Sequence, residues 1–572
     1  MGLFAKPDFM LLHPPSVYDF RERLVIPSPI ADLIPASPLF EMYPIGFSFL
    51  GEYLERNGIN TQVVNLAARM MEKPGFDVGR FLGRKRPIAF GIGLHWLPSC
   101  QGALEIARLC KEAHPNTPVI MGGYSASLFH RELLECPQVD YVLRGDSAEK
   151  PLLLLLGVLA GDGKLDGVPN LTYRDSSTGN VACNACEYVP DDLGYLGNNY
   201  LYMLRSAVKY RDRWGFRAFK GWWSYPMTMV LTCRGCLHNC TFCGGSNWSM
   251  ERFFSRARPA FREPGRIAAD VRTISRITGA PIFIVGDLRQ NGDEYASRVL
   301  EALGRVSPEN HVVLELFEPA PRRFFDLVAS NLPHFSFEIS PESHDQAIRA
   351  AVGKRYTNSD LEANLTWALE VGCGKFDVFF MIGLPGQTPE SVMDTVSYCS
   401  RLLDRFGGNV NPLIGPLAPF LDPGSIAQTH PEQQGYRLLF NTLEEYRRAM
   451  LEPHWRDMLS YETECMSRQE IVDTTYAALL ELNRAKGESG KVSLGYMEMV
   501  KRFLDDNIAL LKRLDEADGT TGTTLVESDM SSMKEQADRL MSRSSLPKEE
   551  LEWPVSGRKF RYASIVRMLL SK

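Results

Sequence analysis

Cysteine is scarce in this sequence, with twelve residues in 572. They are too few and too scattered to staple a secreted scaffold, so they point to a reducing compartment, where clustered thiols serve metals or redox chemistry. Long apolar runs are missing as well. No stretch approaches the roughly 18 uninterrupted apolar residues of a membrane span, and the opening MGLFAKPDFMLLHPPS turns into strand-like sequence without a signal-peptide pattern. Charge of one sign is also lacking: 63 Lys and Arg against 69 Asp and Glu leave a formal net charge of −6. That balance offers no global attraction to nucleic acid or anionic lipid. No internal repeat is found. A cytoplasmic protein without a membrane span is expected, long enough for three or four domains.

What is present is an alternation. In residues 8–160 the runs FMLLH, TQVVNL, IAFGIGL, PVIMGG and DYVLRG read as strands, separated by helical patterns such as PIGFSFLGEYLERNG and CQGALEIARLCKEAHP. This predicts an α/β, doubly wound, Rossmann-like sheet over 1–160, with ligands at the strand carboxyl ends. A connector over 161–225 holds a hairpin around Ser-Ser-Thr-Gly-Asn and the basic, aromatic stretch YRDRWGFRAFKGWWSY. The alternation restarts over 226–425 with MTMVLT, PIFIVGD, HVVLELF, HFSFEIS, KFDVFFMIG and NPLIGPLAP. Six βα units predict a parallel (β/α)6 partial barrel with its chemistry at the strand carboxyl ends. Residues 426–572 read as mainly helical, with a flexible linker at 518–532.

Four of the twelve cysteines crowd into LTCRGCLHNCTFCGGSN. Cys236, Cys240 and Cys243 are spaced C-x3-C-x2-C, with Cys233 just upstream. Zinc ribbons need two C-x2-C knuckles separated by a long hairpin, and this spacing has no room for one. Bacterial ferredoxins use C-x2-C-x2-C with a distant fourth cysteine. Three thiolates on one loop can hold three irons of a cubane and leave the fourth open for chemistry.

These residues resemble the radical S-adenosylmethionine superfamily, including the aromatic Phe242 before the last cysteine. The resemblance implies a 4Fe-4S cluster on Cys236, Cys240 and Cys243, and S-adenosylmethionine on the open iron. It continues along the barrel. IVGD at 284–287 sits where the family contacts the methionine amino group, making Gly286 and Asp287 candidates, with Asp287 in place of the usual Gly-Gly-Glu. EISPES at 338–343 resembles the carboxylate motif that reaches the ligand, pointing to Glu342 and Ser343. MIGLPGQT at 381–388 resembles the glycine–proline turn beside the adenine, pointing to Gly383, Pro385 and Gly386. Asp287 and Glu342 are the catalytic candidates. Cys233 reads as a buried bystander.

The first domain resembles the cobalamin-binding domain that precedes many such barrels, through YPIGFSFLGEYLERNGINTQVVNL, GIGLHWLPS, MGGYSAS and VDYVLRGDSAEKPL. Gly122, Gly123 and Ser125 at a strand end let a nucleotide tail approach the backbone, and Leu94, His95 and Gly145 fall at neighbouring strand ends. A dinucleotide-binding domain would want G-x-G-x-x-G after the first strand, and LLHPPSVYD has none. The Asp-x-His-x-x-Gly motif of cobalt ligation from below is absent. His13 and His95 read as strand-end structural histidines. Arg69 is placed to face the corrin, where a cation would disfavour lower ligation.

Other features carry less. Cys183 and Cys186 form a C-x2-C inside a hairpin, unlike a catalytic dithiol at a helix start. RDRWGFRAFKGWW reads as a rim segment packing its aromatics rather than an RNA-binding surface. Cys100, Cys110 and Cys136 sit on unrelated elements, which sets aside the transfer-RNA methylthiotransferases. The resemblance implies methyl transfer from S-adenosylmethionine through methylcobalamin to an unactivated carbon of a small-molecule or peptide-derived substrate. A reductant of the flavodoxin or ferredoxin type would serve the radical route; a polar variant methylates an indole carbon of tryptophan. The alternatives are ring formation, rearrangement or carbon–carbon coupling on a lipid or secondary metabolite, and a non-catalytic sensor.

Overall fold

A computed structural model describes residues 6–26, 28–29, 39–175, 177–212, 217–219, 221–519, 532–538 and 552–570. The first five apolar runs become parallel strands: β1 (Phe9–His13), β2 (Thr61–Asn65), β3 (Ala89–Gly93), β4 (Val119–Gly122) and β5 (Tyr141–Leu143). They are apolar nearly throughout because helices cover both faces. On one face Phe9, Leu11 and Val63 cluster with Phe47, Leu54, Leu152 and Leu155 of helices Gly46–Arg56 and Glu149–Leu159. On the other, Met10, Leu12 and Phe90 cluster with Ala103, Leu104 and Ala107 of helix Cys100–Ala113. The order β2-β1-β3-β4-β5 makes the sheet doubly wound, as expected, with a switch point between β1 and β3. A crevice for a ligand opens outside the strand ends at such a point.

The hairpin expected in the connector forms as β6 (Leu171–Arg174) and β7 (Val181–Cys183), but it does not stand apart. It pairs antiparallel along β5 and widens the sheet to seven strands.

The second sheet runs β8 (Thr228–Leu231), then, after a two-stranded ribbon of β9 (Cys233–Arg234) and β10 (Ala260–Phe261), β11 (Ile282–Val285), β12 (Val312–Leu316), β13 (Phe335–Glu342), β14 (Phe376–Ile382) and β15 (Val410–Pro416). Its six strands β8 and β11 to β15 pair in parallel in sequence order, as a (β/α)6 partial barrel should. Alternation sends Val312 and Leu314 toward the helices and Val313 and Glu315 inward. Helix Pro389–Phe406 starts where it does because Thr388 and Ser391 cap each other's backbone N–H and Pro389 presets the first turn. The barrel floor, where the strands begin, is filled by Phe219, Trp222, Met227, Phe283 and Trp553. Trp553 comes from the far end of the sequence.

After β15 the chain is mainly helical, through Leu443–Ala449, Arg468–Glu488, Leu494–Gly519 and Tyr562–Leu570. One antiparallel ribbon interrupts it, β16 (Tyr436–Leu438) with β17 (Tyr461–Thr463). The linker expected at 518–532 falls outside the described residues except at its ends. Among the described residues no helix is long and apolar enough to cross a membrane.

Candidate active site

The three cysteines lie on the loop beyond β8, at the carboxyl end of the barrel. Cys236, Cys240 and Cys243 are free thiols, close enough that charge on one raises the others. The backbone N–H of His238 donates to Cys236 Sγ at 3.4 Å and that of Gly245 to Cys243 Sγ at 3.3 Å. Burial pushes the Cys236 thiol up to about 11 and raises those of Cys240 and Cys243 as well. Each thiol therefore keeps its proton until a metal displaces it. Three such thiols, two of them with backbone N–H donors aimed at sulfur, fit the ligand set of an iron–sulfur cluster with one open iron. No three His, Cys, Asp or Glu side chains among the described residues are grouped to hold a single metal ion. Phe242 is buried in the core beneath the loop. Cys233, also buried, has a thiol pushed up to about 12, and a Cβ on Gly286 would meet its Sγ at 3.3 Å.

The remaining mouth residues gather around this loop. Gly286 ends β11 with φ of 94°, and an added Cβ would meet Thr232 Oγ1 at 3.1 Å, so glycine is required there. Glu342 sits after a bulge at the end of β13, with φ of 68°. Its carboxylate pairs with Lys354 Nζ at 2.6 Å; burial pushes it up and the ammonium pulls it back. The loop carrying Lys354 presses on the cysteines, since Val352 accepts the Thr241 N–H at 3.2 Å and a Cβ on Gly353 would meet Asn239 O at 2.7 Å. Ser343 receives Arg349 at its carbonyl at 2.7 Å. The turn Gly383–Pro385–Gly386 is held from within: Gln387 Oε1 accepts both the Gly383 and the Leu384 N–H, at 3.0 and 2.9 Å. Gly383 and Gly386 have φ of 93° and 78°, and a Cβ on Gly383 would strike Tyr461 Oη.

Asp287 departs from its expected role. Its carboxylate accepts Arg289 Nε at 3.0 Å and Nη2 at 2.5 Å, the Arg289 N–H at 2.9 Å and the Phe317 N–H at 3.0 Å. A carboxylate so occupied holds the turn after β11 and has little left for a ligand. The neighbouring acid is Glu315 of β12, which accepts the Gly286 N–H and whose carboxyl burial raises to about 7. Glu315 stands in register with Glu338 of β13, and Glu338 with Asp377 of β14. Sequence reasoning missed this inward row. Its signal was one acid at an inward position in each of VVLEL, FSFEIS and KFDVFF.

In the first domain, the loops after β3, β4 and β5 lie against one another along the strand carboxyl ends, on one side of the switch point. A Cβ on Gly123, with φ of 119°, would lie 2.7 Å from the His95 backbone, while one on Gly122 would lie 3.6 Å from Leu143 O. Ser125 Oγ donates to His95 O at 3.0 Å, and the Gly145 N–H donates to Ser127 Oγ at 3.0 Å. Leu94 is buried. Burial lowers His13 and His95 to about 4, so both imidazoles are neutral. His13 Nε2 faces Phe40 O at 2.7 Å, and the His95 ring lies 4.8 Å from that of Tyr124. This glycine-lined, uncharged cradle fits a bulky cofactor brought against backbone. Arg69 is already engaged: it pairs with Asp212 at 2.5 Å and lies over Phe76 and Phe81 at 5.4 and 4.9 Å. That cation ties helix Leu66–Glu72 to the connector, and one so neutralised is a poor guard of a cobalt face.

Two buried ion pairs join the cradle to the cysteine loop. Arg234 pairs with Glu149 at 2.5 Å and also donates to Ser147 Oγ and Tyr195 Oη. Arg256 pairs with Asp146, the residue after Gly145, and reaches Pro190 O at 3.1 Å.

The fold joins two domains of recognisable families. Residues 32–153 match the B12 binding domain family and 230–399 the Radical SAM superfamily, so the chain carries both domains in the order expected, with a 4Fe-4S cluster, S-adenosylmethionine and cobalamin as the cofactors they imply. The chain is 28% identical over 296 residues to the hopanoid C-3 methylase of Methylococcus capsulatus, covering 51% of this chain and about half, 50%, of that relative's length. In fold it is similar to the radical S-adenosylmethionine methyltransferase TsrM of Kitasatospora setae, at TM-score 0.59 and 15% identity over 94% of this chain and 99% of that one. It is likewise similar to the cobalamin-dependent enzyme OxsB, at TM-score 0.57 and 13% identity over 98% and 83% of the two chains.

Proposed function

We propose that the protein is an enzyme that transfers a methyl group from S-adenosylmethionine, by way of cobalamin, to an unactivated carbon of a small-molecule or peptide-derived substrate. The observation that carries this reading is the pair of buried bridges, Arg234–Glu149 and Arg256–Asp146, which fixes the cobalamin cradle against the cysteine loop. Bound there, the cofactors supply a transferable methyl group and, on the radical route, hydrogen abstraction; the protein supplies binding, orientation and water exclusion. Cys236, Cys240 and Cys243 would hold the cluster. Glu315, beside Gly286, would receive the methionine ammonium that Asp287 cannot, and the Gly383–Gly386 turn would back the adenine. Lys354, held by Glu342 at 2.6 Å, would stand beside the cluster as a fixed positive charge. Gly122, Gly123, Ser125 and Gly145 would let the cobalamin tail lie against backbone. An aromatic carbon such as an indole carbon of tryptophan is one fitting acceptor, since TsrM has been solved with tryptophan and a S-adenosylmethionine analogue. A flavodoxin- or ferredoxin-type reductant would serve the radical route.

The test is anaerobic reconstitution with iron, sulfide and cobalamin, then incubation with S-adenosylmethionine and a reductant under mass spectrometry. S-adenosylhomocysteine formed only when cobalamin is present supports methyl transfer, and 5′-deoxyadenosine beside it marks the radical route. Deoxyadenosine alone would overturn methyl transfer in favour of rearrangement or coupling.

A further inference from the structure

The last twenty residues, WPVSGRKFRYASIVRMLLSK, hold five cations and no aspartate or glutamate, in a chain whose formal net charge is −6. The described part of this tail is firmly seated. Trp553 is buried in the barrel floor, and its N–H donates to Tyr225 Oη at 2.5 Å. Ser556 and Arg558 exchange backbone bonds with Gly279 at 2.9 and 3.1 Å, where any Cβ on Gly279 would strike Ser556 O. Helix Tyr562–Leu570 then lies against helices Asn199–Lys209 and Pro264–Ile277.

Its inward face is half-buried, through Ile565, Met568 and Leu569. Its outward face is apolar instead of polar. Tyr562, Val566 and Leu570 recur every four residues along one side and are 69%, 54% and 79% exposed. Val208 on the abutting helix adds another exposed aliphatic side chain. Exposed Arg558, Lys559 and Arg567 flank this stripe in sequence, while Arg561 shares its charge with Glu309 at 2.6 Å. A second copy of the chain across a twofold axis would bring like cations together, so charge argues against self-association. An apolar line flanked by three cations, with Glu309 already paired to Arg561, is the arrangement of helices that lie in the headgroup layer of a bilayer.

We propose that the face of helix Tyr562–Leu570 seats this protein reversibly on an anionic lipid bilayer, its apolar stripe entering the headgroup boundary and its cations meeting lipid phosphates. The helix starts beside Ile277 and Glu309, where β11 and β12 begin. The proposal does not depend on the reaction proposed above.

The test is sedimentation of the full chain with extruded vesicles, either phosphatidylcholine alone or phosphatidylcholine mixed with phosphatidylglycerol. The protein is expected to pellet with the mixed vesicles, to be released by high salt, and to bind neutral vesicles weakly. Val566→Asp should cut binding to the mixed vesicles by roughly tenfold or more without moving the thermal midpoint, because the side chain is exposed. The pair Arg558→Glu and Arg567→Glu should abolish the preference for anionic vesicles. Equal binding by wild type and Val566→Asp, or no preference for anionic vesicles, would overturn the proposal. So would light scattering that shows a dimer which Val566→Asp splits and no vesicle binding.

Discussion

The two candidate sites are built from opposite materials. The cradle beside the first sheet is made of glycines, hydroxyls and two imidazoles kept neutral by burial, with His13 and His95 lowered to about 4. The barrel interior is crowded with ionisable groups: three thiols and the Lys354–Glu342 pair at the mouth, and the inward acids Glu315, Glu338 and Asp377, which run from the mouth down toward the floor. A cradle that must admit a large ring works by close backbone approach, which glycine permits and charge would hinder. A site that must hold iron and a zwitterionic nucleoside works by placing charge. Between them, the Arg–carboxylate bridges carry the charge that neither site needs for its ligand.

Removing one thiol should break this division most sharply. Cys240→Ser is expected to drop reconstituted iron from about four per chain to below one, with cobalamin binding retained; iron and cobalamin measured on one sample decide it. Retention of full iron would refute the cluster assignment. The cradle can be broken independently by Gly123→Val, which puts a β-branched residue at φ of 119° and drives its Cβ into the His95 backbone. A strain of about 1–3 kcal/mol corresponds to a loss of roughly five- to 150-fold in cobalamin affinity, read by absorbance titration, with iron unchanged. The finest test is Glu315→Gln. Burial raises the Glu315 carboxyl from 4.5 to about 7, so the folded state binds its proton more tightly than the unfolded chain. Its contribution to stability is fully present below about 4.5 and is lost as pH rises through about 7. The wild-type thermal midpoint should therefore fall relative to that of Glu315→Gln between pH 5 and 8, by roughly a few degrees; parallel profiles would show that Glu315 does not titrate there.

Much of this was legible in the sequence because period and spacing carry it. Apolar runs separated by amphipathic stretches specify the two parallel sheets, and C-x3-C-x2-C specifies three thiols on one loop. The surroundings of the candidate residues were less legible. Asp287 and Arg69 were assigned by position, and each is engaged by a partner no local pattern reveals: Arg289 two residues on for one, Asp212 in the connector for the other. The hairpin of the connector was recognised, but its docking along β5 is a long-range pairing that hairpin sequence does not encode. Glu315 was visible as an acid inside an apolar strand and needed only the question of why an inward position should be charged.

The Trp553 stopper has a consequence for traffic. With the floor filled by Phe219, Trp222 and Trp553, the barrel is a cup and not a pipe. The axis is therefore blocked at the end where the strands begin, while the edge strands β8 and β15, which do not pair with each other, leave the sheet unclosed along one side.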